Sequence, residues 1–294
     1  MFAPEFEYYR AGSIAEAGDL LKKHPGAKLL AGGHSLLPLL KLRLASPPAL
    51  IDIGRIADLK GIVVKDGKIR IGALTTHADL AASKELREHC PALAEAAGHV
   101  GDPAVRNRGT IGGNVAHADP ASDLPTVLTA LGARFESVGP SGKKTTDVDS
   151  FFQGMMATAL GENDVLTAIE VAAQAPGQGA SYVKFVHPAS RYAVIGVAAI
   201  VTAVAGTCKS AAVALGGLVP RPVRASGVEK AIAGQPLSAD TIASAAGRVS
   251  ADLGGDLLGD IFASAEYRRA VAPVWVKRAL AKAAERAVSQ AATV

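Results

Sequence analysis

Two short stretches of this chain, Ala31-Gly-Gly-His-Ser35 and Thr110-Ile-Gly-Gly-Asn114, combine paired glycines with a small hydroxyl residue. Glycine tolerates positive φ and carries no Cβ, so such a stretch lets backbone amides come within hydrogen-bond distance of a bulky anion. Where the chain turns directly into a helix, as expected after Ser35, the free amides of the first turn and the helix dipole both favour phosphate. A diphosphate held between two glycine segments is the chemistry this pattern suggests. Neither stretch has the G-x-G-x-x-G or G-x-x-x-x-G-K-[ST] spacing, so the common dinucleotide and P-loop signatures are missing, and two ligand-free tight turns remain the competing reading.

Other chemistries find little support. Cys90 and Cys208 are the two cysteines, which excludes a disulfide framework and any cluster needing four thiolates from this chain. The seven histidines are scattered without a pair at helical spacing, so no metal site is expected. A formal charge of +4, with Lys and Arg interleaved among Asp and Glu, leaves no nucleic-acid footprint. The longest apolar run, Val194 to Ala205, is too short to cross a bilayer and suits a buried strand. Met1-Phe-Ala-Pro-Glu-Phe-Glu lacks the basic and then apolar pattern of a secretory signal, so a cytoplasmic location is expected. With 49% hydrophobic residues but only 4% aromatics, the core must be built from Ala, Val, Leu and Ile.

The elements that position the glycine segments follow from pattern. Ser13-Ile-Ala-Glu16 reads as a capping box heading an amphipathic helix to Lys23, which His24-Pro25-Gly26 ends. A strand over Lys28 to Ala31, a helix over Leu36 to Leu44 with Pro38 in its first turn, and a strand over Leu50 to Ile53 make a βαβ unit. Asp66-Gly67 between alternating runs predicts a hairpin from Ile62 to Ile71. Helical segments near Thr76 to Ala82 and Ala92 to Ala97 lead to a polar loop from Gly101 to Asp119, a length that usually binds something. A helix over Leu124 to Leu131, a hairpin around Pro140-Ser-Gly142 and a strand over Val165 to Val171 come next. The segment Ala172 to Ala180, rich in Pro and Gly, reads as a domain boundary. Beyond it, strands over Ser181 to His187, Val194 to Ala205 and Cys208 to Leu215 precede Ala-rich helices over Ser226 to Ala233, Ala239 to Asp252 and Ala265 to Ala287, an α+β order.

Together with Val105-Arg-Asn-Arg-Gly109, Ala118-Asp-Pro-Ala-Ser-Asp-Leu-Pro125 and Pro188-Ala-Ser-Arg-Tyr-Ala-Val-Ile-Gly196, the two glycine stretches resemble the FAD-binding medium subunit of aerobic carbon monoxide dehydrogenases. More broadly they resemble the flavin domain of the xanthine dehydrogenase superfamily, and the likeness extends over nearly the whole chain. The resemblance implies an α+β fold: a PCMH-type FAD-binding domain of two subdomains, residues 1–56 and 57–175, then a C-terminal domain of antiparallel sheet plus helices, residues 176–294. It implies that the amides of Ala31, Gly32, Gly33, His34 and Ser35 and of Thr110, Ile111, Gly112, Gly113 and Asn114 bind the FAD diphosphate. By the same resemblance Asp123 would lie at the adenosine end, Leu166 beside the ring, Lys184 near the isoalloxazine carbonyl edge and Tyr192 against the flavin ring. From the residues alone, Asp123 could instead cap the helix after it, Lys184 could be the solvent-facing member of a strand, and Tyr192 and Leu166 could be core. A Gly-Gly-His loop also occurs where FAD is attached through histidine; the resemblance implies non-covalent FAD and makes His34 a loop and packing residue.

A flavin is needed where electrons arriving singly must leave in pairs. The resemblance therefore implies that a large molybdenum-cofactor subunit oxidises the substrate, a small 2Fe-2S subunit relays electrons, and this chain passes them to a quinone or other acceptor. A dimer of heterotrimers, cytoplasmic and peripheral at the inner face of the membrane, is the implied assembly. Related hydroxylases acting on an aldehyde, a purine, an N-heterocycle or an aromatic thioester share the pattern. The reading from a different class is a non-redox nucleotide-binding module.

Overall fold

The structure, a computed structural model, describes residues 2–291; Met1 and the last three positions of the expected 176–294 segment lie outside the described residues. The chain opens with strand β1 (Glu7–Arg10), helix α1 (Ile14–Lys23), strand β2 (Lys28–Leu30), helix α2 (Leu36–Lys41) and strand β3 (Ala49–Asp52). β3 lies between β1 and β2 and pairs with both in parallel, so the βαβ unit is present and gains a neighbour that the polar sequence of β1 conceals. Only half of the capping box forms. Ser13 Oγ accepts from the Glu16 amide at 3.1 Å, but the Glu16 carboxylate accepts from the Gly12 amide at 2.7 Å. α2 ends three residues short of Leu44, because Arg43 turns to a φ of 59° and the amides of Arg43 and Leu44 close back on the carbonyls of Leu40 and Leu39.

The next segment holds β4 (Ile62–Lys65), β5 (Lys68–Gly72), α3 (His77–Ala82), α4 (Lys84–His89), α5 (Pro91–His99), α6 (Pro103–Arg106), α7 (Ile111–His117) and α8 (Asp123–Ala130). It continues with β6 (Arg134–Gly139), β7 (Gly142–Asp147), α9 (Val148–Phe151), β8 (Phe152–Gly154), β9 (Ala157–Thr158) and β10 (Val165–Ala172). Its five-stranded antiparallel sheet has the order β4-β5-β10-β6-β7. Asp66 and Gly67, at φ of 51° and 72°, close the expected hairpin. The expected loop from Gly101 to Asp119 is corrected: it contains two short helices, each started by a side chain. Asp102 Oδ1 accepts from the Val105 amide at 2.9 Å, and Thr110 Oγ1 from the Gly113 amide at 3.1 Å.

The remaining elements are β11 (Gln178–Val186), β12 (Ala193–Val204), β13 (Thr207–Gly216), β14 (Val223–Arg224), α10 (Ser226–Ile232), α11 (Ala239–Ala246), α12 (Val249–Asp252) and α13 (Ala265–Ala291). The four strands form one antiparallel sheet in chain order. The helix expected from Ala239 to Asp252 is interrupted at Gly247 and Arg248. α13 covers one face of β11 and β12, while α5 and α8 pack on the other, which is why β12 is apolar on both sides. The second face joins the core of the preceding segment, where Phe135 stacks on Phe151 with ring centroids 3.9 Å apart. Glu95 on α5 fastens α13, accepting from Lys282 at 3.0 Å and from Arg286, as well as from the Tyr182 amide on β11.

Candidate functional site

The two glycine segments, about eighty residues apart in sequence, touch in space. A Cβ on Gly32 would overlap the Arg108 carbonyl oxygen and lie 2.9 Å from Gly109 Cα, and one on Gly113 would lie 3.9 Å from Ala31 Cβ. Close passage of one backbone over another is open to glycine alone at position 32. The first segment leaves β2, reverses at Gly33 with a φ of 76° and enters α2. Among the described residues, the amides of Gly32, Gly33, His34 and Ser35 meet no protein acceptor. Such a row of free donors leading into a helix start is a cradle for an anion.

The second segment differs from the first. The amides of Ile111, Gly112 and Asn114 donate to the carbonyls of Thr75, Ala73 and Thr110 at 3.0, 2.8 and 3.0 Å, and that of Gly113 to Thr110 Oγ1. These four donors hold acceptors within the fold, whereas those of the first segment do not. Gly112 is required for another reason: its Cβ would lie 2.5 Å from Ala73 Cβ, where α7 leans on the turn after β5. What this segment gives the site is a wall without side chains at Gly113, and Asn114. The Asn114 amide nitrogen donates to Ser122 Oγ at 3.1 Å, leaving its Oδ1 buried with no protein partner.

Between the segments runs a cavity of about 900 Å³, near the upper end of small-molecule sites. Ala31, Gly32, Gly33, His34, Ser35, Thr110, Gly112, Gly113, Asn114, Asp123, Leu166 and Tyr192 all line it. Ile111 and Lys184 do not. The Ile111 side chain is wholly in the core. Lys184, its side chain 1% exposed, donates to Asp123 Oδ2 at 2.9 Å and to the His99 carbonyl at 3.1 Å. Tyr182 adds a 2.5 Å bond to Asp123 Oδ1. Asp123 and Lys184 therefore meet in one place, with Asp123 on the cavity wall and Lys184 behind it. The competing readings fail: Lys184 is not solvent-facing, and the residue at the cap position of α8 is Ser122. Burial pushes the Asp123 carboxyl up, and the Lys184 charge and the Tyr182 bond offset only part of that. Tyr192 is 44% exposed at the rim, in the turn before β12, and burial followed by the charges of Asp119 and Asp123 pushes its phenol up.

Sequence reasoning missed His77, Val100, Gly101 and Val105, which also line the cavity. His77 is 3% exposed, with Nδ1 buried and unpartnered. Its pKa is lowered to about 4 by burial, then by the charges of His34 and Arg106. The capping box formed by Thr76 and Asp79 announces α3, but nothing in the sequence places this imidazole on the cavity wall. Free amides in a row, a passage that side chains would fill and an orphaned Asn114 oxygen fit an elongated ligand with a charged middle. Fold and cavity together define a dinucleotide-binding chain.

Residues 4–173 match the family described as the FAD binding domain in molybdopterin dehydrogenase, and residues 180–283 match the CO dehydrogenase flavoprotein C-terminal domain. The chain belongs to this family of FAD-binding flavoproteins of molybdopterin dehydrogenases. A carbon monoxide dehydrogenase medium chain from Hydrogenophaga pseudoflava is 41% identical over 283 residues, 95% of this chain and 97% of that one. A glyceraldehyde dehydrogenase medium chain from Sulfolobus acidocaldarius is 36% identical over 284 residues, 97% of this chain and 100% of that one. Among solved structures, the carbon monoxide dehydrogenase of Hydrogenophaga pseudoflava superimposes with a TM-score of 0.93 at 41% identity, covering 97% of this chain and 99% of that one.

Proposed function

We propose that this chain is the FAD-carrying electron-transfer subunit of a carbon-monoxide-dehydrogenase-type molybdenum hydroxylase. The observation that carries the reading is the row of free amides from Gly32 to Ser35, set where the Arg108–Gly109 backbone crosses Gly32. Bound FAD would accept electrons singly and release them in pairs. The amides of Gly32 to Ser35 hold the diphosphate, and Gly113 leaves room beside it. Leu166 supplies apolar wall, Tyr192 covers the rim, and Lys184 acts through Asp123, which it fixes in place. His34 shapes the first segment, its Nδ1 lying 3.1 Å from the Gly32 carbonyl oxygen, and FAD is held non-covalently.

The reading includes a division of the chain at residues 1–56, 57–175 and 176–294, supported by the three larger sheets, one in each part. It also includes a large molybdenum-cofactor partner and a small 2Fe-2S partner, arranged as a dimer of heterotrimers, and delivery of electrons to a quinone or other acceptor. It places the complex in the cytoplasm, peripheral at the inner face of the membrane. Carbon monoxide is preferred as the substrate because the Hydrogenophaga pseudoflava relative named for it is 41% identical, against 36% for the one named for glyceraldehyde.

The test is affinity purification of the tagged chain from cells that also make its partners. Expected are flavin absorption bands, yellow colour released into the supernatant by acid, and two co-eluting chains, one carrying molybdenum and the other iron and sulfide. A colourless chain that takes up no FAD would end the proposal.

A further inference from the structure

His77 is a buried base on the cavity wall whose ring has no partner in the protein. The residue is 3% exposed, Nδ1 is buried and unpartnered, and Nε2 makes no hydrogen bond among the described residues. Leaving a buried polar ring idle is unfavourable unless something else engages it. Its backbone is fixed: the His77 amide donates to the Gly109 carbonyl at 3.0 Å, beside the bridge between Thr76 and Thr110. The ring lies across Gly109, where an added Cβ would stand 2.8 Å from His77 Cδ2 and 3.0 Å from Nε2. A Cβ on Gly32 would meet the same glycine from its own side, 2.9 Å from Gly109 Cα. His77, Gly109 and Gly32 all line the cavity, so the ring sits where the two segments cross, next to the free amides.

The charges that act on this ring are both positive, those of His34 and Arg106. Arg106 donates to the Val100 and Gly101 carbonyls at 3.1 and 3.3 Å and has no carboxylate partner among the described residues. Carboxylates on α3 and on the helices packed against it are engaged elsewhere. Asp79 on α3 accepts from Thr76, Glu85 on α4 from Ser83, and Glu88 lies 3.8 Å from His89. Glu95 on α5 holds Lys282 and Arg286, and Asp102 starts α6. His99, at the end of α5, faces Asp123 and Lys184 instead. Three nitrogen groups without a balancing carboxylate suit an anion.

We propose that His77 is a contact for the diphosphate of FAD, donating from Nε2–H at the crossing of the two segments, and that binding draws a further proton from solvent onto the ring. This deepens the FAD reading above and rests on it. A neutral imidazole has one proton, and placing it on Nε2 leaves the buried Nδ1 bare. Burial first, then the charges of His34 and Arg106, hold the pKa of the free ring at about 4. A diphosphate beside it favours the protonated form, so the pKa rises on binding. Between pH 4 and that raised value the bound state holds more protons than the free one. By linkage, affinity for FAD must grow as pH falls through this window.

The experiment titrates the flavin-stripped full chain with FAD at pH 7 and pH 5, by calorimetry in two buffers of different ionisation enthalpy. Parent, His77→Gln and His77→Leu are compared, and melting curves at each pH report folding. The glutamine amide nitrogen reaches as far as Nε2 and does not titrate, whereas leucine removes the donor. At pH 7, His77→Gln should bind FAD within about threefold of the parent and His77→Leu roughly tenfold or more weakly. From pH 7 to pH 5, the parent should gain roughly threefold or more in affinity over His77→Gln, with proton uptake that the variant lacks. Protons taken up by His34 or by the ligand itself cancel in that comparison. Equal proton uptake by parent and His77→Gln overturns the proposal, and so does a folded His77→Leu that binds FAD as the parent does. A folded parent that binds no FAD at either pH overturns the FAD reading itself, an outcome distinct from both.

Discussion

Gly32 and Gly33 are neighbours with different duties, and alanine separates them. At Gly32 the new Cβ meets backbone, the Arg108 carbonyl, which cannot yield without parting the two segments. Gly32→Ala is expected to destabilise the chain by about 1–3 kcal/mol and to empty it of flavin. At Gly33 the obstacle is Leu37 Cδ1 at 2.9 Å, the movable end of a side chain, and the φ of 76° adds roughly 1 kcal/mol. Gly33→Ala should therefore keep most of its FAD. The flavin-to-protein absorbance ratio and a melting curve distinguish the two, and equal occupancy would refute the contact at Gly32. His77 supplies a pH prediction. Its folded pKa of about 4 lies below the ordinary 6.5, so the neutral ring belongs to the folded state. The stability it contributes is present above pH 6.5 and is lost as pH falls towards 4, with about 2 kcal/mol gone by pH 5. Burial is the main cause of that lowering, and the charges of His34 and Arg106 contribute the smaller part. Urea unfolding at pH 7 and pH 5 should show His77→Asn with a smaller fall than the parent; parallel curves would remove His77 from the account.

Among the elements, β11 shows how an alternating strand becomes site architecture. Tyr182 and Lys184, two residues apart, point to the same side of the strand, where both meet Asp123 at the start of α8. Lys184→Met would leave a buried carboxylate with one neutral donor and should destabilise the fold by about 3–5 kcal/mol. Tyr182→Phe should lose only about 1–3 kcal/mol. Asp123→Asn combined with Lys184→Met should recover part of the loss, and chemical unfolding of the set gives the coupling; simple additivity would deny that the pair joins β11 to α8. Much of this architecture was legible in the sequence. Asp66-Gly67, the βαβ unit and the three long C-terminal strands are written in period and turn chemistry. The helices within 101–119 were not, because α6 and α7 are too short to show a period and glycine inside a helix is unfavourable by roughly 1 kcal/mol. Gly112 is tolerated because of Ala73, a residue distant in sequence. The site divides in the same way. Absence of a Cβ is encoded locally, so both glycine segments could be found. Which amides remain free depends on where the carbonyls of Ala73 and Thr75 arrive, and the pairing of Lys184 with Asp123 is set by tertiary packing that no local pattern announces.

Over the whole molecule, the cavity is a seam. Its walls include Ala31 to Ser35, Gly112 to Asn114, Leu166 and Ser190 to Tyr192, which lie on or beside elements of all three larger parts of the chain. A ligand seated there touches every part at once, and unfolding any one part destroys its site. FAD must then stabilise the entire chain by mass action, about 2.7 kcal/mol at a hundred times its Kd. For a chain of this size that corresponds to a rise in Tm of roughly 4 °C. Calorimetry of the flavin-stripped chain against graded FAD should show the whole unfolding endotherm moving up together. If only part of the endotherm moved, the ligand would be held by one segment alone. The contact of Gly32 with Gly109, and the reach of the rim at Tyr192, would then be irrelevant to binding.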